Sequence, residues 1–395
     1  MSWPRVKLCD IANSQYGYTA SAQDEAIGPK FLRITDIVPP FIDWDKVPYC
    51  PIDEKLNAKY ALSPGDIVVA RTGATTGHAK LIRSEQNSVF ASYLVRFKVH
   101  DDRLESGFVG LLVESDQYKN FVNGVKGGSA QPNANAKSLG LFEFAVPPLD
   151  VQRRIVEVAI TYDDLIENNR RRIALLEEAA RLLYREWFVH FRFPGHEHIK
   201  IIDGAPEGWK KTKLIDLVDW IKETVKPVHF TEGDVHIGLE HIPRRSFTLA
   251  DWETTEGLAS QKFRFKKGDV IFGKIRPYFH KVGFAICDGL ASSDAFIWRP
   301  KSPKLWPLVV CATSSDYFVA VASKTVKEGS KMPRADWSVL SQFSIPTPPS
   351  GILDDFNAQI EPITTQCASL ALANHELVKA RDLLLPRLMD GRIEV

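Results

Sequence analysis

Residues Gln261–Lys281 read QKFRFKKGDVIFGKIRPYFHK: seven Lys/Arg, one acid (Asp269) and five aromatics. Cations interleaved with aromatics around a glycine suit a strand and loop that follow a phosphate backbone. A solvated strand face is the plainer alternative. The candidates there are Lys262, Arg264, Lys274, Arg276, Tyr278 and Lys281. An earlier stretch at the matching place is richer in Gly and Thr, and offers Arg71, Thr72, Thr75, Thr76, His78 and Lys80. A second pair of loops carries Lys126, Ser129, Gln131, Asn133 and Asn135 in one case, and Lys327, Ser330, Lys331 and Arg334 in the other. Asn or Gln can pair bidentately with adenine, and Arg or Lys can bond guanine. An ordinary polar loop is again the plainer alternative for any single residue.

Motifs for catalysis are missing. Gly73-Ala74-Thr75-Thr76-Gly77-His78-Ala79-Lys80 lacks the spacing and the Lys-Ser/Thr pair of a phosphate-binding loop. No GxGxxG follows a strand. His196-Glu197-His198 cannot put two histidines on one helical face, so it reads as exposed linker. Val38-Pro39-Pro40-Phe41 resembles the Asp/Asn-Pro-Pro-Tyr/Phe motif of amino-methyltransferases. Val38 supplies no polar acceptor for an amine, so the segment reads as a turn. The carboxylates form no pattern that suggests a catalytic or metal cluster.

Bulk properties narrow the class. A chain of 395 residues with 44% hydrophobic and 25% charged content should fold into two or three domains. A net charge of +1 gives no global pull toward nucleic acid, so any basic surface must be local. Five cysteines without CxxC spacing read as reduced thiols of a cytoplasmic protein with no zinc site. The early start of the first repeat leaves no room for a signal peptide, and no apolar run approaches a membrane span.

The elements that must hold the candidate loops come in two copies. Trp3-Pro4-Arg5-Val6-Lys7-Leu8-Cys9-Asp10 returns as Trp209-Lys210-Lys211-Thr212-Lys213-Leu214-Ile215-Asp216. Gly65-Asp66-Ile67-Val68 returns as Gly268-Asp269-Val270-Ile271, and Pro147-Pro148 as Pro348-Pro349. Each copy begins with about 145 residues of mixed character. Short β-branched and aromatic runs there, such as Ile67–Ala70, Tyr93–Phe97, Val270–Phe272 and Ala295–Trp298, predict strands. After each Pro-Pro boundary a long helix is expected, the first from about Val151 to His190 and roughly 60 Å long. The first seam reads Ile155, Ala159, Tyr162, Ile166, Asn169, Ile173, Leu176, Ala180, Leu183, Trp187. Its steps alternate four and three, as in a coiled coil. The second reads Phe356, Ile360, Ile363, Cys367, Leu370, Asn374, Leu377, Arg381, Leu384, Leu388. Pro362 predicts a kink or restart, and Pro386 an end or bend of the last turn. A parallel pairing would bury Asn169 and Asn374 against apolar partners. An antiparallel pairing puts both amides in one layer, where they would set the register. The alternative is that both reach water at the seam edge.

Together these stretches resemble the specificity subunit of type I restriction–modification systems. The resemblance rests on Trp-x-x-x-Lys-Leu-x-Asp at each start, the Gly-Asp pairs, Pro147-Pro148-Leu149-Asp150-Val151-Gln152, and the run from Leu175 to Val189. Pro362 and Arg381 depart from its pattern. It implies an α+β chain: two similar mixed α/β target recognition domains separated by two long helices that form an antiparallel intramolecular coiled coil, pseudo-two-fold symmetric. The expected boundaries are residues 1–147, helix 148–191, linker 192–207, residues 208–348 and helix 349–395. It also implies a non-catalytic subunit reading a bipartite, asymmetric double-stranded DNA target, with phosphate contacts from Lys262, Arg264, Lys274 and Lys281. The implied partners are two methyltransferase subunits and motor-nuclease subunits. S-adenosylmethionine, ATP and magnesium would sit on those partners, with no cofactor, metal or membrane for this chain. The competing readings are a coiled-coil adaptor that binds only proteins, and a fused methyltransferase, for which motifs and length are lacking.

Overall fold

The computed structural model describes residues 3–125, 133–325 and 332–394. The chain divides into two compact units, one of Met1–Asp164 with Lys379–Val395 and the other of Leu165–Val378. The division cuts both long helices rather than falling at the Pro-Pro boundaries, because each helical segment packs on its own mixed domain.

In the first unit a four-stranded antiparallel sheet forms from β1 (Ala12–Tyr16), β2 (Ile67–Ala70), β3 (Ala79–Leu81) and β4 (Leu94–Val99), in the order β1-β4-β2-β3. Every residue of β2 is buried, so its Ile-Val-Val-Ala run needs no polar alternation. Side chains still alternate in direction. Ile67 and Val69 join the core with Phe108, Leu112 and Val122, while Val68 and Ala70 join Leu32, Ile37 and Phe90. After this domain comes α1 (Leu149–Tyr184), which passes into a π turn at Arg185–Val189. Gln152 holds its start. Its amide accepts from Glu105 N and donates to the Arg103 and Pro147 carbonyls.

In the second unit β5 (Val218–Trp220), β6 (Thr248–Leu249), β7 (Val270–Gly273), β8 (Val282–Ala285) and β9 (Ala295–Pro300) form a five-stranded sheet in the order β5-β9-β7-β8-β6. Its central strand divides its side chains in the same way. Val270 and Phe272 face one core and Ile271 the other. The repeated Gly-Asp opens each central strand. Gly65 and Gly268 take φ of +92° and +89°, where a side chain would be strained. Asp66 accepts from Ser63 N and Arg96, and Asp269 from Lys266 N and Arg299. Both carboxylates are buried, so this shared motif is a structural turn.

The last element, α2 (Ser350–Met389), is unbroken. The restart expected at Pro362 does not occur. Phe356 and Ile360 are fully buried just before it, and Thr364 Oγ1 bonds the Ile360 carbonyl just after it. Packing thus outweighs the local cost of the missing N–H, about 3 kcal/mol. Pro386 lies in the final turn, and the helix ends three residues later. Inside the second unit the helices run antiparallel. Phe356 meets Phe188, Cys367 lies near the Ile173 carbonyl, and Asn374 meets Asn169. Inside the first unit the same sense holds, with Arg381 on Asp163 and Leu388 in the core that contains Ile155.

The expected linker is ordered. Phe193 is 1% exposed and its ring lies 5.2 Å from that of Trp209. His196–His198 forms a 3-10 turn, outside any helix long enough for paired metal ligands. The five cysteines are free, and burial pushes the Cys311 and Cys367 thiols up to about 12. Among the described residues no single helix is long and apolar enough to cross a membrane.

Candidate nucleic-acid interface

Each unit brings its two candidate loops together at the end of its central strand. In the first, Ala134 N donates to Arg71 O at 2.8 Å, and Thr72 and Asn133 form a β-bridge. In the second, Ala335 N donates to Lys274 O at 2.9 Å, and Ile275 and Arg334 form the corresponding bridge. Lys126, Ser129, Gln131, Lys327, Ser330 and Lys331 lie outside the described residues.

The first tip is a tight turn. Thr76 donates to Gly73 O through both its N–H and its hydroxyl, His78 N bonds Thr75 O, and Gly77 N returns to Ala70 O. Gly73 and Gly77 both take positive φ. Thr76 is buried, so its hydroxyl closes the turn instead of facing a ligand. His78 and Thr75 stand half-buried beside it. Lys80 is a brace, with Nζ on Glu114 at 3.2 Å and on the Pro40 carbonyl at 2.9 Å. Asn135 is exposed, but its side chain caps the short helix Ala136–Leu139 by accepting from Ser138 N. Asn133 is exposed. Arg71 lies over the Tyr16 ring at 4.9 Å, and Tyr16 Oη accepts from Ala136 N at 3.0 Å.

The second tip is basic and aromatic. Arg276 and His280 take φ of +50° and +55° on either side of the 3-10 turn Pro277–Phe279. Two non-glycine residues there indicate backbone strain held by the surroundings. His280 Nε2 lies 2.8 Å from the Ser314 carbonyl, and burial pulls its pKa down. Arg276 and Tyr278 are exposed, and Arg244 covers Phe279 at 4.0 Å. Arg334 is exposed but paired to Asp294 at 3.0 Å.

The four expected phosphate contacts need correction. Lys262 is 8% exposed and donates to Ser260 Oγ at 2.7 Å. Arg264 is paired with Glu223 at 2.9 Å. Lys281 donates to the Leu239 carbonyl. Lys274 donates to the Ser293 carbonyl among the rings of Trp220, Phe263 and Phe296. Burial pulls the pKa of both Lys274 and Lys281 down. The reason is geometric. Lys262 and Arg264 share one face of the strand Lys262–Phe265, and Lys274 and Lys281 lie just beyond strand ends, so acceptors from other segments (Ser260, Glu223, Ser293 and Leu239) decide what each cation meets. Tyr16, Tyr93 and Arg244 were not expected at the tips. They come from separate strands and loops, and no local spacing connects them.

The structure also joins His236, His241 and Glu253, whose ligand-type atoms lie within 4.8 Å of one another. Gly238 N donates to His241 Nδ1 at 3.0 Å. The proton of that ring is therefore on Nε2, which faces Glu253 Oε2 at 4.0 Å. His236 Nδ1 meets Glu253 Oε1 at 3.0 Å, and burial pulls its pKa down. The arrangement is a carboxylate shared by two imidazoles.

Two mixed domains on shared long helices, each with a laced pair of loops at the end of its central strand, define the class: a two-domain protein with a helical spacer. Residues 2–178 match the family model described as type I restriction modification DNA specificity domain. The MjaIX specificity subunit of Methanocaldococcus jannaschii is 23% identical over 312 residues, 74% of this chain and 70% of that protein. The MjaVIII specificity subunit of the same organism is 22% identical over 99% of this chain and 89% of that protein. The solved S subunit of the type I restriction–modification system from M. genitalium shares the fold. Its TM-score is 0.60 at 11% identity, over 98% of this chain and 96% of that one. Over nearly its whole length the chain is similar to the specificity subunits of type I restriction–modification systems.

Proposed function

We propose that this chain is the non-catalytic DNA reader of its complex, and that each mixed domain recognises one half of a bipartite, asymmetric target. The supporting observation is the duplicated tip. One scaffold places two loops side by side in both units, yet the side chains presented differ: Thr72 and Asn133 in the first, Arg276, Tyr278 and Arg334 in the second. Like scaffolds with unlike side chains suit two unlike half-sites. In this reading exposed cations contact phosphate and set the orientation, while the loop side chains meet base edges and supply specificity. The two long helices hold the readers apart. Modification subunits would supply S-adenosylmethionine chemistry on adenine, and motor-nuclease subunits ATP and magnesium, in the cytoplasm.

The test is to express the chain with its modification subunits in a host lacking other adenine methylation and to map the modified adenines. A single motif of two different half-sites with a fixed gap is expected. Two identical inverted half-sites, or modification without a motif, would overturn the reading. With the purified complex, binding of target duplex should weaken steeply as salt rises, because phosphate contacts release counterions.

A further inference from the structure

Arg71 differs from several other cations at the tips. Lys80, Lys274 and Arg334 are bonded to protein acceptors. A guanidinium has five N–H donors. Those of Arg71 find no acceptor among the described residues, and its Nε is buried without a partner. The side chain is nevertheless held. Its guanidinium lies over the Tyr16 ring at 4.9 Å. Tyr16 is itself fixed, in β1 by pairing with Val95 and at its hydroxyl by Ala136 N. The Arg71 backbone is anchored on both sides, by N–H to the Tyr93 carbonyl at 3.0 Å and by its carbonyl to Ala134 N at 2.8 Å. Tyr93 is 60% exposed and Tyr16 42%, so this support stands at the surface.

A held planar fork without an acceptor among the described residues is prepared for an acceptor from outside. The same fork also fits two oxygens of one phosphate, a contact that carries no sequence requirement. A fixed plane matters where two coplanar acceptors must be met at once, and the O6 and N7 edge of guanine in the major groove presents such a pair. The position after the second central strand is occupied differently. Lys274 bonds Ser293 O, and by the repeat that aligns Trp3 with Trp209, Lys222 corresponds to Tyr16. The difference would make the two half-sites unlike at this point.

We propose that Arg71, stacked on Tyr16, reads one guanine in the half-site recognised by the first domain. This rests on the DNA-reading function above and assigns one residue to one base. The experiment maps modified adenines for the wild-type complex and for the Arg71→Ala and Arg71→Lys variants. Arg71→Lys keeps the charge and removes the fork, so it separates base reading from charge and guards against a misfolded alanine variant. The wild-type motif should contain a guanine at one position that both variants tolerate being replaced, with discrimination there reduced about tenfold or more. The other half-site and the gap should be unchanged. An undiminished requirement for guanine in both variants would overturn the assignment. So would a fall in modification at all sites alike with the motif intact. A wild-type complex without a bipartite motif would instead defeat the underlying function, so the two failures are distinct.

Discussion

Glu177 carries more of the second unit than any candidate contact does. It lies on α1, is 2% exposed, and accepts from Ser246 Oγ, Phe247 N and Thr248 N at 2.8 to 3.1 Å. Arg181 lies 3.2 Å away. One carboxylate thus ties the helix to the start of β6 by satisfying donors that have no water. Glu177→Ala strands those N–H groups, and should cost about 3 kcal/mol of stability. Urea unfolding of the full chain, followed by tryptophan fluorescence, measures it. A loss below about 1 kcal/mol would show that the surroundings relax to rehydrate them. The first unit uses a related device. Asp163 is 6% exposed and clamped between Arg83 and Arg381 at 2.5 and 2.6 Å. Arg381 was legible in the sequence only as a charge on an apolar seam. Arg83, the second cation on Asp163, lies far away in the chain, in a loop with no helical periodicity.

At the level of the elements, the Asn169–Asn374 contact is the clearest case of a long-range geometry argued from spacing. Asn169 Nδ2 donates to Asn374 Oδ1 at 2.9 Å, and Asn374 Nδ2 to the Ile166 carbonyl at 3.1 Å. Asn374 is 8% exposed, which removes the seam-edge alternative for that residue. Replacing either Asn singly by Leu leaves a buried amide without its partner and should destabilise by about 1–3 kcal/mol. Replacing both should restore most of that loss, because a Leu–Leu layer suits the seam, at the expense of a defined register. A double-mutant cycle in urea tests this, and additive losses would remove the coupling. Both residues lie in regular helices, where sequence spacing converts into position. At Pro362 local propensity predicted a kink or restart, and the helix does not restart there, because neighbouring Phe356 and Ile360 are committed to the core.

For the whole molecule, the proposed division between reading and spacing makes a separable prediction. A matched insertion of seven residues in both long helices preserves the seam and adds about 10 Å. At 3.4 Å per base pair, the gap in the modified motif should widen by about three base pairs. Both half-sites should stay as they are. Mapping modified adenines reads both quantities at once, and a changed half-site would sink the idea that the helices act only as a spacer.

Patterning alone determined the doubled architecture, the central strands, the two long helices and their antiparallel sense. These follow from order, period and apolar content, which a linear sequence carries directly. Tertiary structure alone decided which side chains stand free. Lys262, Lys274 and Lys281 looked like surface cations and are held internally, while Arg71, one candidate among several in the Gly/Thr-rich loop, stands over Tyr16 without an acceptor among the described residues. The physical reason is that a cation's availability depends on whether an acceptor from a distant strand or loop reaches it. That is a property of how the sheets fold, and neighbours in the sequence do not encode it.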